Sequence, residues 1–476
     1  MKKTNIYAAM IAITMVFSLA SCAEVAVSSD NTAETTAQTS AFVSTENISG
    51  EKAAAGETET ADAEIRSAAG ETETADGEIR SAVTDDGDSL DIVSASFEGS
   101  TTGMLDTADM FSERDLEQTA DVSEAEYITV SSNDTISITD GGVYVISGSA
   151  ENCTIRVEAD SQEKVQLVLD GVSITNGDFP AIYVVSADKC FITTAEGSEN
   201  SLSVTDSFTA DADTNTDAVI FSKDDIVLNG LGVLNISSAY GNGISGKDDV
   251  KFTGGSCNIT SALDAVEAND SIRICGGTFD IVSSKDGLHS ENDEDDSQGC
   301  IYIAGGTFSI NAKSDAVQAT TIAQIDGGSF DITASEGIEA TYVQINDGTI
   351  NITASDDGIN ATSKSTAYDV AIEFNGGYTT IVMGQGDTDG VDANGSIIVN
   401  GGTIDVTAQM SSFDYDGTAE FNGGTIIVNG EEVSEIPVSM MGGGMGGHGG
   451  MMGGEMQEGM QFGGRGGRHS EMYSVT

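Results

Sequence analysis

The chain has 476 residues, with 78 Asp or Glu against 18 Lys or Arg and a formal net charge of −60. No basic patch is present that would bind nucleic acid, and so acidic a balance suits a chain that works outside the cell among cations. Only two prolines occur, which favours a fold whose backbone N–H groups are paired along most of its length.

The N-terminus predicts secretion and lipid attachment. Two lysines precede an apolar run from Ile6 to Ala20, and the sequence Leu-Ala-Ser-Cys ends at Cys22. This pattern is typical of a signal peptide, here residues 1–21. Leu-Ala-Ser-Cys resembles the bacterial lipobox, which implies cleavage before Cys22 and lipidation of that residue. We expect an extracellular, cell-surface lipoprotein that meets the membrane only through its anchor. A transmembrane helix is the alternative, although the apolar run is short for one.

Both flanks of the chain have compositions typical of disorder. Residues 22–103 are mostly Ala, Ser, Thr, Glu and Asp, and contain a tandem copy in 56–69 and 70–83. Such a segment buries too little apolar surface to offset its ordering entropy, so we interpret it as a disordered acidic stalk. Residues 435–476 form a Gly/Met-rich tail that we also interpret as disordered. Copper binding by its methionines and histidines is the alternative.

A β-helical domain is predicted for residues 104–434. Met104 to Ser123 predicts a helix that caps the open end of the array, and the first, irregular coil falls near Tyr127 to Gly148. Beyond it a doublet recurs, Gly-Gly-Thr/Ser followed by alternating apolar residues. Its second glycines, with two degraded copies at 348 and 377, stand at 255, 277, 306, 328, 348, 377, 402 and 424, so the steps are 22, 29, 22, 20, 29, 25 and 22. A step near 22 with strand-like content is typical of a solenoid.

Each repeat contains three short segments of period two, which predict three strands per coil. No stretch between doublets is long enough for a crossover helix, so a helix-covered parallel sheet is disfavoured. The fold class is therefore all-β, a single-stranded parallel β-helix of ~22 residues per coil. The column before the doublets, Asp326 and then Asn346, Asn375, Asn400 and Asn422, predicts a ladder of side-chain hydrogen bonds. Two repeats carry a surplus of seven residues, at 291–296 and 362–366, which predicts loops on one face.

Acidic residues also recur in columns. Equivalent residues of neighbouring coils lie about 4.8 Å apart, where two carboxylates repel by roughly 1 kcal/mol in water. Interleaved cations would relieve that repulsion, and Ca²⁺ accepts six to eight oxygen ligands in tolerant geometry. We expect several Ca²⁺ ions between coils. The candidate ligands are Asp248, Asp249, Asp264, Glu267, Asp286, Asp315, Glu336, Glu339, Asp357, Asn360, Asp389 and Asp392.

Two further acid pairs follow a lysine, at 223–225 and 247–249. Their spacing of 24 residues (223 to 247) predicts that they stack. They are either metal ligands or a structural ladder of charges, and the sequence leaves both open.

The order of these motifs resembles the bacterial secreted carbohydrate-binding β-helix family. The resemblance covers about Phe111 to Val433, and rests on two Lys-Asp-Asp copies, the Gly-Gly-Thr coils, and Glu-Gly-Ile-Glu-Ala at 336–340. It implies a right-handed, pectate-lyase-like helix that binds calcium and plant cell-wall polysaccharide, including cellulose and polygalacturonate. The chain departs from the family at Asp264 and Asp315, where Asp-Ala-Val replaces Asp-Gly-Ile.

The leading functional hypothesis is a non-catalytic binder of cell-wall polysaccharide, a monomer anchored by lipid. Trp is absent, so Tyr302 and Tyr342, which occupy polar-face positions, are the candidate carbohydrate-binding rings. A calcium-dependent polyuronate lyase is the first alternative, with Lys285 as the candidate base. A structural adhesin that binds another protein is the second.

Overall fold

The computed structural model describes residues 103–292, 294–386 and 388–437. The predicted signal peptide, Cys22, almost all of the predicted stalk and most of the Gly/Met-rich tail lie outside these residues. Within the described ranges, no helix combines the length and the hydropathy needed to cross a bilayer.

The regular structure of the described residues is almost entirely strand, and their one helix is α1 (Glu113–Leu116). The first strands are β1 (Glu126–Thr129), β2 (Asp134–Ile138), β3 (Gly142–Glu151), β4 (Cys153–Glu158), β5 (Lys164–Asn176), β6 (Ile182–Ser186), β7 (Lys189–Thr194), β8 (Glu199–Val204), β9 (Ala218–Ser222), β10 (Ile226–Gly230), β11 (Val233–Ser238), β12 (Asn242–Gly246), β13 (Asp249–Phe252), β14 (Ser256–Ser261), β15 (Val266–Ala268), β16 (Ser271–Ile274), β17 (Thr278–Ser283) and β18 (Leu288–Ser290).

The later strands repeat the same three-strand unit. They are β19 (Cys300–Ile303), β20 (Thr307–Asn311), β21 (Asp315–Ala319), β22 (Ile322–Ile325), β23 (Ser329–Ala334), β24 (Glu336–Ala340), β25 (Tyr342–Ile345), β26 (Thr349–Ala354), β27 (Asp357–Ala361), β28 (Ala371–Phe374), β29 (Tyr378–Met383), β30 (Asp389–Ala393), β31 (Ser396–Val399), β32 (Thr403–Thr407), β33 (Ser411–Tyr415), β34 (Ala419–Phe421), β35 (Thr425–Val428) and β36 (Glu431–Val433).

The strands form three parallel ladders, because each strand from β7 to β32 pairs with the one three places later. The last strand, β36, pairs antiparallel with β35. The first ladder runs from β1 through β7, β10 and β13 to β34, and the second runs from β8 through β11 and β14 to β35. Strand β5 pairs with both β7 and β8 and so joins these two ladders into one sheet. The third ladder is a separate 12-stranded sheet from β2 to β33. The prediction of an all-β fold built from long parallel ladders is confirmed.

Alternating residues of every ladder point into one continuous core. In the second ladder Phe279, Phe308 and Phe330 occupy one column, and their rings stack at centroid distances of 4.8 and 4.5 Å. Cys257 pairs with Phe279 in the same column and is buried. Stacked identical side chains of this kind bury apolar area at every coil, so the core grows with each turn.

The glycine doublets mark a tight corner before the second ladder. At Gly402 the backbone has φ +78°, and an added Cβ would lie 2.5 Å from the carbonyl oxygen of Gly376 in the coil before. A side chain is therefore excluded both by the backbone conformation and by the neighbouring turn. The column just before this corner forms the predicted ladder, since Asn375 donates to Asn346 (2.7 Å) and Asn400 donates to Asn375 (2.8 Å).

The predicted capping helix over Met104 to Ser123 is wrong. Apart from α1, this stretch is irregular, and residues 103–118, here called the N-terminal strap, lie along the outer face of the first ladder. The Met104 N–H donates to the Gln344 side chain (2.9 Å), and the Gln118 side chain donates to the Thr253 carbonyl (3.0 Å). The apolar residues of the strap are Leu105, Met110, Phe111 and Leu116. Their spacing of five, one and five makes no helical stripe. They pack instead in one cluster with Cys275 and Tyr302 on the outer face of the first ladder.

Truncating the central ring of the phenylalanine stack tests the core. We expect Phe308→Ala to lower the free energy of unfolding by about 3–5 kcal/mol, because it removes buried apolar area and leaves a cavity between two rings. Val382→Ala is the matched control, since Val382 is exposed on the same ladder, and should cost under about 0.5 kcal/mol. Equal losses on chemical denaturation would contradict the stacked core.

Candidate functional site

Two columns of polar side chains follow the outer edge of the third ladder. The first, here called the acid column, consists of Asp264, Asp286, Asp315, Glu336, Asp357 and Asp389. The second, here called the partner column, consists of Glu267, His289, Gln318, Glu339, Asn360 and Asp392. Strand register stacks the partner column coil over coil through pairs such as Glu267 with His289 and Gln318 with Glu339. In the acid column Asp315 pairs with Glu336 and Asp357 with Asp389.

Backbone hydrogen bonds hold the acid column in place. One carboxylate oxygen of Asp264 accepts the N–H of Asp286 (2.9 Å), and Asp286 accepts the N–H of Asp315 (3.0 Å) in the same way. Asp357 accepts the N–H of Asp389 at 3.2 Å. Each of these bonds orients a carboxylate by one oxygen and leaves the other oxygen for the partner column.

The first cluster along the columns carries its own positive charge. Lys285 Nζ lies 2.9 Å from one oxygen of Asp264 and 3.6 Å from Asp286, and His289 Nδ1 lies 3.4 Å from Asp264. Burial disfavours the ionised Asp264, but hydrogen bonds from His289 and Lys285 outweigh it and hold its pKa at about 2. Burial also disfavours a charged His289, yet its bonds to Asp264 and Glu291 raise its pKa to about 9. The imidazole is therefore protonated at neutral pH.

Lys285 is poorly suited to accept a proton in this setting. Burial lowers the pKa of a lysine, but the hydrogen bond to Asp264 and the charges of Asp264 and Asp286 outweigh it and leave the pKa of Lys285 above its usual value. A catalytic base needs a pKa near the working pH. The ion pairs therefore disfavour the role that the lyase alternative assigned to Lys285.

The second cluster brings three acids together with less compensation. Oxygens of Asp315, Glu336 and Glu339 lie within 4.8 Å of one another. Gln318 donates to Asp315 (2.6 Å) and to Glu339 (2.7 Å), and Lys364 Nζ lies 2.7 Å from Glu339. Burial and the charges of neighbouring acids raise the pKa of Asp315 to about 8 and that of Glu336 to about 7. The charge of one lysine does not balance the cluster.

The third cluster consists of Asp357, Asp389 and Asp392 beside Asn360. Burial and the charge of Asp392 raise the pKa of Asp357 to about 7, and burial and Asp389 do the same for Asp392. The Asn360 amide nitrogen donates to Glu336 (3.1 Å) and to Glu339 (3.4 Å). Asn360 is 9% exposed, and its Oδ1 is buried without a hydrogen-bond partner among the described residues. An orphaned buried oxygen beside crowded carboxylates is a ligand set that suits a hard cation.

The remaining predicted ligands have other partners. Glu267 accepts hydrogen bonds from Asn242 (2.8 Å) and Ser245 (2.9 Å) of the preceding coil. Asp249 lies on the first ladder, where Arg273 Nη2 is 3.0 Å and Lys251 Nζ 3.5 Å from its carboxylate.

The two Lys-Asp-Asp copies stack as predicted, since the Asp249 N–H donates to Asp225. This stacking, together with the ion pairs to Arg273 and Lys251, favours a structural ladder of charges over a metal site for Asp249. Burial, the charge of Asp225 and a hydrogen bond that the protonated Asp248 carboxyl donates to Asp270 raise the pKa of Asp248 to about 7.

The prediction of a sugar-binding surface at Tyr302 and Tyr342 needs correction. Both rings point outward from the first ladder, but Tyr302 is 1% and Tyr342 9% exposed, because the N-terminal strap lies over them. Their hydroxyls donate to Asp326 (2.9 Å) and Glu373 (2.8 Å). Among the described tyrosines of the ladders, Tyr127 on β1 and Tyr378 on β29 stay open, at 70% and 42% exposed.

A polar cavity of about 360 Å³ lies beside the first and second clusters. We call it the clasp cavity, and it is lined by His289, Glu291, Asn292, Asp296, Gln318, Thr320 and Lys364. The two surplus segments predicted from the sequence contribute four of these residues. The cavity itself was not predicted, because the repeat pattern does not indicate how the two segments run across the surface.

Comparison with known proteins bears on this surface. A family model described as carbohydrate-binding domain-containing protein matches residues 132–390 and 335–434. The chain belongs to this family. The family predicted from the motif order is thus confirmed.

A relative from Acetivibrio thermocellus with the same description is 36% identical over 126 residues, which is 26% of this chain and 44% of the relative. The chain therefore spans less than half of that relative's length. A solved structure titled as a polysaccharide lyase-like protein from C. thermocellum, in a gadolinium derivative, aligns with 31% identity and a TM-score of 0.43. The alignment covers 45% of this chain and 92% of that one.

The raised pKa values predict how the stability of the metal-free protein, measured in the presence of a chelator, depends on pH. Asp315, Glu336, Asp357 and Asp392 have folded-state pKa values of about 7–8, above unfolded values of about 4. Their contribution to stability is therefore full below about pH 4 and is lost as the pH rises through 7 and 8.

We expect the melting temperature of the metal-free protein to fall by a few degrees between pH 6 and pH 9. An Asp315→Asn, Asp392→Asn double variant should show a flatter profile. Parallel profiles for the two proteins would contradict the raised values.

Proposed function

We propose that this protein binds plant cell-wall polysaccharide without cleaving it, on a β-helix whose outer columns hold Ca²⁺, at the surface of the bacterial cell. Membership of a carbohydrate-binding family supports the polysaccharide. The observation that carries the metal is the crowding of the second and third clusters, where buried and half-buried carboxylates outnumber the single ammonium of Lys364. Cellulose or an acidic, pectin-type glycan is the ligand class.

Calcium fits these clusters better than a softer metal. The second cluster offers carboxylate oxygens from Asp315, Glu336 and Glu339, and the third adds the orphaned amide oxygen of Asn360. Hard cations prefer oxygen donors, and Ca²⁺ tolerates the irregular geometry that a loose set of carboxylates provides. The first cluster is a weaker candidate for Ca²⁺, because Lys285 and protonated His289 already neutralise Asp264 and Asp286.

The lipid anchor is proposed from the sequence alone. Leu-Ala-Ser-Cys at 19–22 would be processed so that Cys22 carries the lipid, and the acidic stretch after it would hold the β-helix away from the membrane. Release of the protein into the medium by Cys22→Ala is the expected result. Continued membrane association of that variant would refute the anchor. The right-handed winding implied by the family resemblance stays a prediction.

Calcium should raise stability through the second and third clusters. We expect Ca²⁺ at a hundred times its Kd to add about 2.7 kcal/mol per site to the free energy of unfolding, since it binds only the folded chain. Glu336→Gln, Glu339→Gln should remove a large part of the rise in melting temperature. Asp280→Asn, Asp331→Asn, which replaces two exposed acids on β17 and β23, is the charge-matched control for this double variant. A melting curve indifferent to chelator would refute the metal proposal.

Polysaccharide binding is tested by retention of the purified protein on insoluble cellulose and on immobilised polygalacturonate. We expect retention on at least one polymer and no rise in ultraviolet absorbance from new double bonds when polygalacturonate and Ca²⁺ are added. A rise in absorbance would favour the lyase alternative. Failure to bind any of a panel of cell-wall polymers would favour the adhesin.

A further inference from the structure

The two surplus segments of the repeat meet each other. Ser365 Oγ donates to the carbonyl oxygen of Asp296 at 2.6 Å, and the N–H of Thr366 donates to the Asp296 carboxylate at 2.8 Å. These two bonds join positions that are 69 and 70 residues apart in the chain. The contact, here called the clasp, holds the rim of the clasp cavity, so the cavity is formed before any ligand arrives.

The wall of the cavity suits a ligand rich in hydroxyl groups. The amides of Asn292 and Gln318, the hydroxyl of Thr320 and the carboxylate of Glu291 all line it. Gln318 Nε2 already donates to Asp315 and Glu339, and Asn292 Nδ2 donates to Asp270. The Gln318 Oε1 and the Glu291 carboxylate offer acceptors and the second N–H of Asn292 offers a donor, and a sugar hydroxyl needs both because it donates and accepts together. A volume of about 360 Å³ is at the small end of ligand sites. It is far larger than a lone inorganic anion requires.

The positive charge of Lys364 in the cavity wall favours a ligand with a negatively charged group. The chain has 18 basic residues against 78 acids, yet Lys364 lines this cavity with its side chain 28% exposed. Its ammonium has three N–H groups and pairs with one acid among the described residues, Glu339, which also accepts a hydrogen bond from Gln318. The acids of the wall are engaged, since Asp296 forms the clasp and Glu291 lies 3.4 Å from His289 Nε2.

We propose that the clasp cavity is a subsite for one carboxylated sugar residue, whose carboxylate pairs with Lys364 and whose hydroxyls bond to Gln318, Asn292 and Glu291. This inference rests on the proposed function and narrows it, because it assigns the acidic glycan to a defined pocket. A charge-assisted hydrogen bond inside a partly closed cavity is stronger than a neutral one. The site therefore discriminates between a uronate and the corresponding neutral sugar.

Two ligands that differ only in the charged group test the subsite. Titration calorimetry on the full chain with digalacturonate and with the neutral galactobiose should give about a tenfold preference for the acid. Lys364→Met should reduce that preference to near one. Lys313→Met is the matched control, since Lys313 is exposed on a neighbouring coil and contacts Ser284, and it should retain the preference.

A second variant keeps the proposal falsifiable if Lys364→Met folds poorly. Asp296→Ala removes the carboxylate that accepts the Thr366 N–H, so it weakens the clasp, but it leaves Lys364 and the backbone carbonyl that accepts from Ser365 in place. Both sugars should then bind several-fold more weakly while the preference for the acid survives. Melting temperatures of all variants measured alongside show whether the fold is intact.

Three results would overturn the subsite. The first is an unchanged preference for digalacturonate in a folded Lys364→Met variant. The second is an Asp296→Ala variant that binds both sugars as the wild type does. The third is a wild-type protein that stays on immobilised polysaccharide but binds neither disaccharide, which refutes the cavity and leaves the proposed function standing. Loss of retention on every polymer would instead refute the proposed function.

Discussion

The structure depends on parallel register between successive coils. Each residue of a ladder lies about 4.8 Å from its equivalent in the next turn, so a repeated residue type becomes a row of that type. The same geometry stacks the rings of Phe279, Phe308 and Phe330 in the core and links Asn346, Asn375 and Asn400 by side-chain hydrogen bonds on the surface. For rings and amides the row is favourable. For carboxylates it places like charges side by side, and the chain has to compensate each of them.

The acid column shows different forms of compensation from one coil to the next. At the level of Asp264 and Asp286 the chain supplies Lys285 and a protonated His289. In the second cluster, Gln318 donates a hydrogen bond to Asp315, and Lys364 forms an ion pair with Glu339. Among the described residues, Asp357 accepts the backbone N–H of Asp389 and no basic side chain pairs with Asp357 or Asp392, and the pKa values of these two acids rise to about 7. The second and third clusters therefore carry more negative charge that no side chain compensates than the first cluster does.

Much of this could be predicted from the sequence because a solenoid converts linear spacing into contact. The doublet spacing predicted the coil, and the recurrence of acids predicted which of them stack. The spacing did not predict what covers an outward side chain. Tyr302 has the period-two position of an exposed residue, yet the strap, which precedes the first coil, buries it. The ion pairs of Asp249 were not predicted either. Arg273 and Lys251 stand at neighbouring positions of the first ladder, and their long side chains reach the Asp249 carboxylate.

The meeting of the two surplus segments also follows from register, although only in retrospect. Both segments leave the end of a third-ladder strand, one after β18 and the other after β27, and three coil steps separate these strands. Three steps amount to about 14 Å. Seven extra residues span at most about 25 Å when extended, so two such segments bending toward each other can cover the distance and return. A single insertion would leave an open loop, whereas two at the same corner and three coils apart can close over the strands between them. Gln318 and Thr320 belong to the first of the coils so covered.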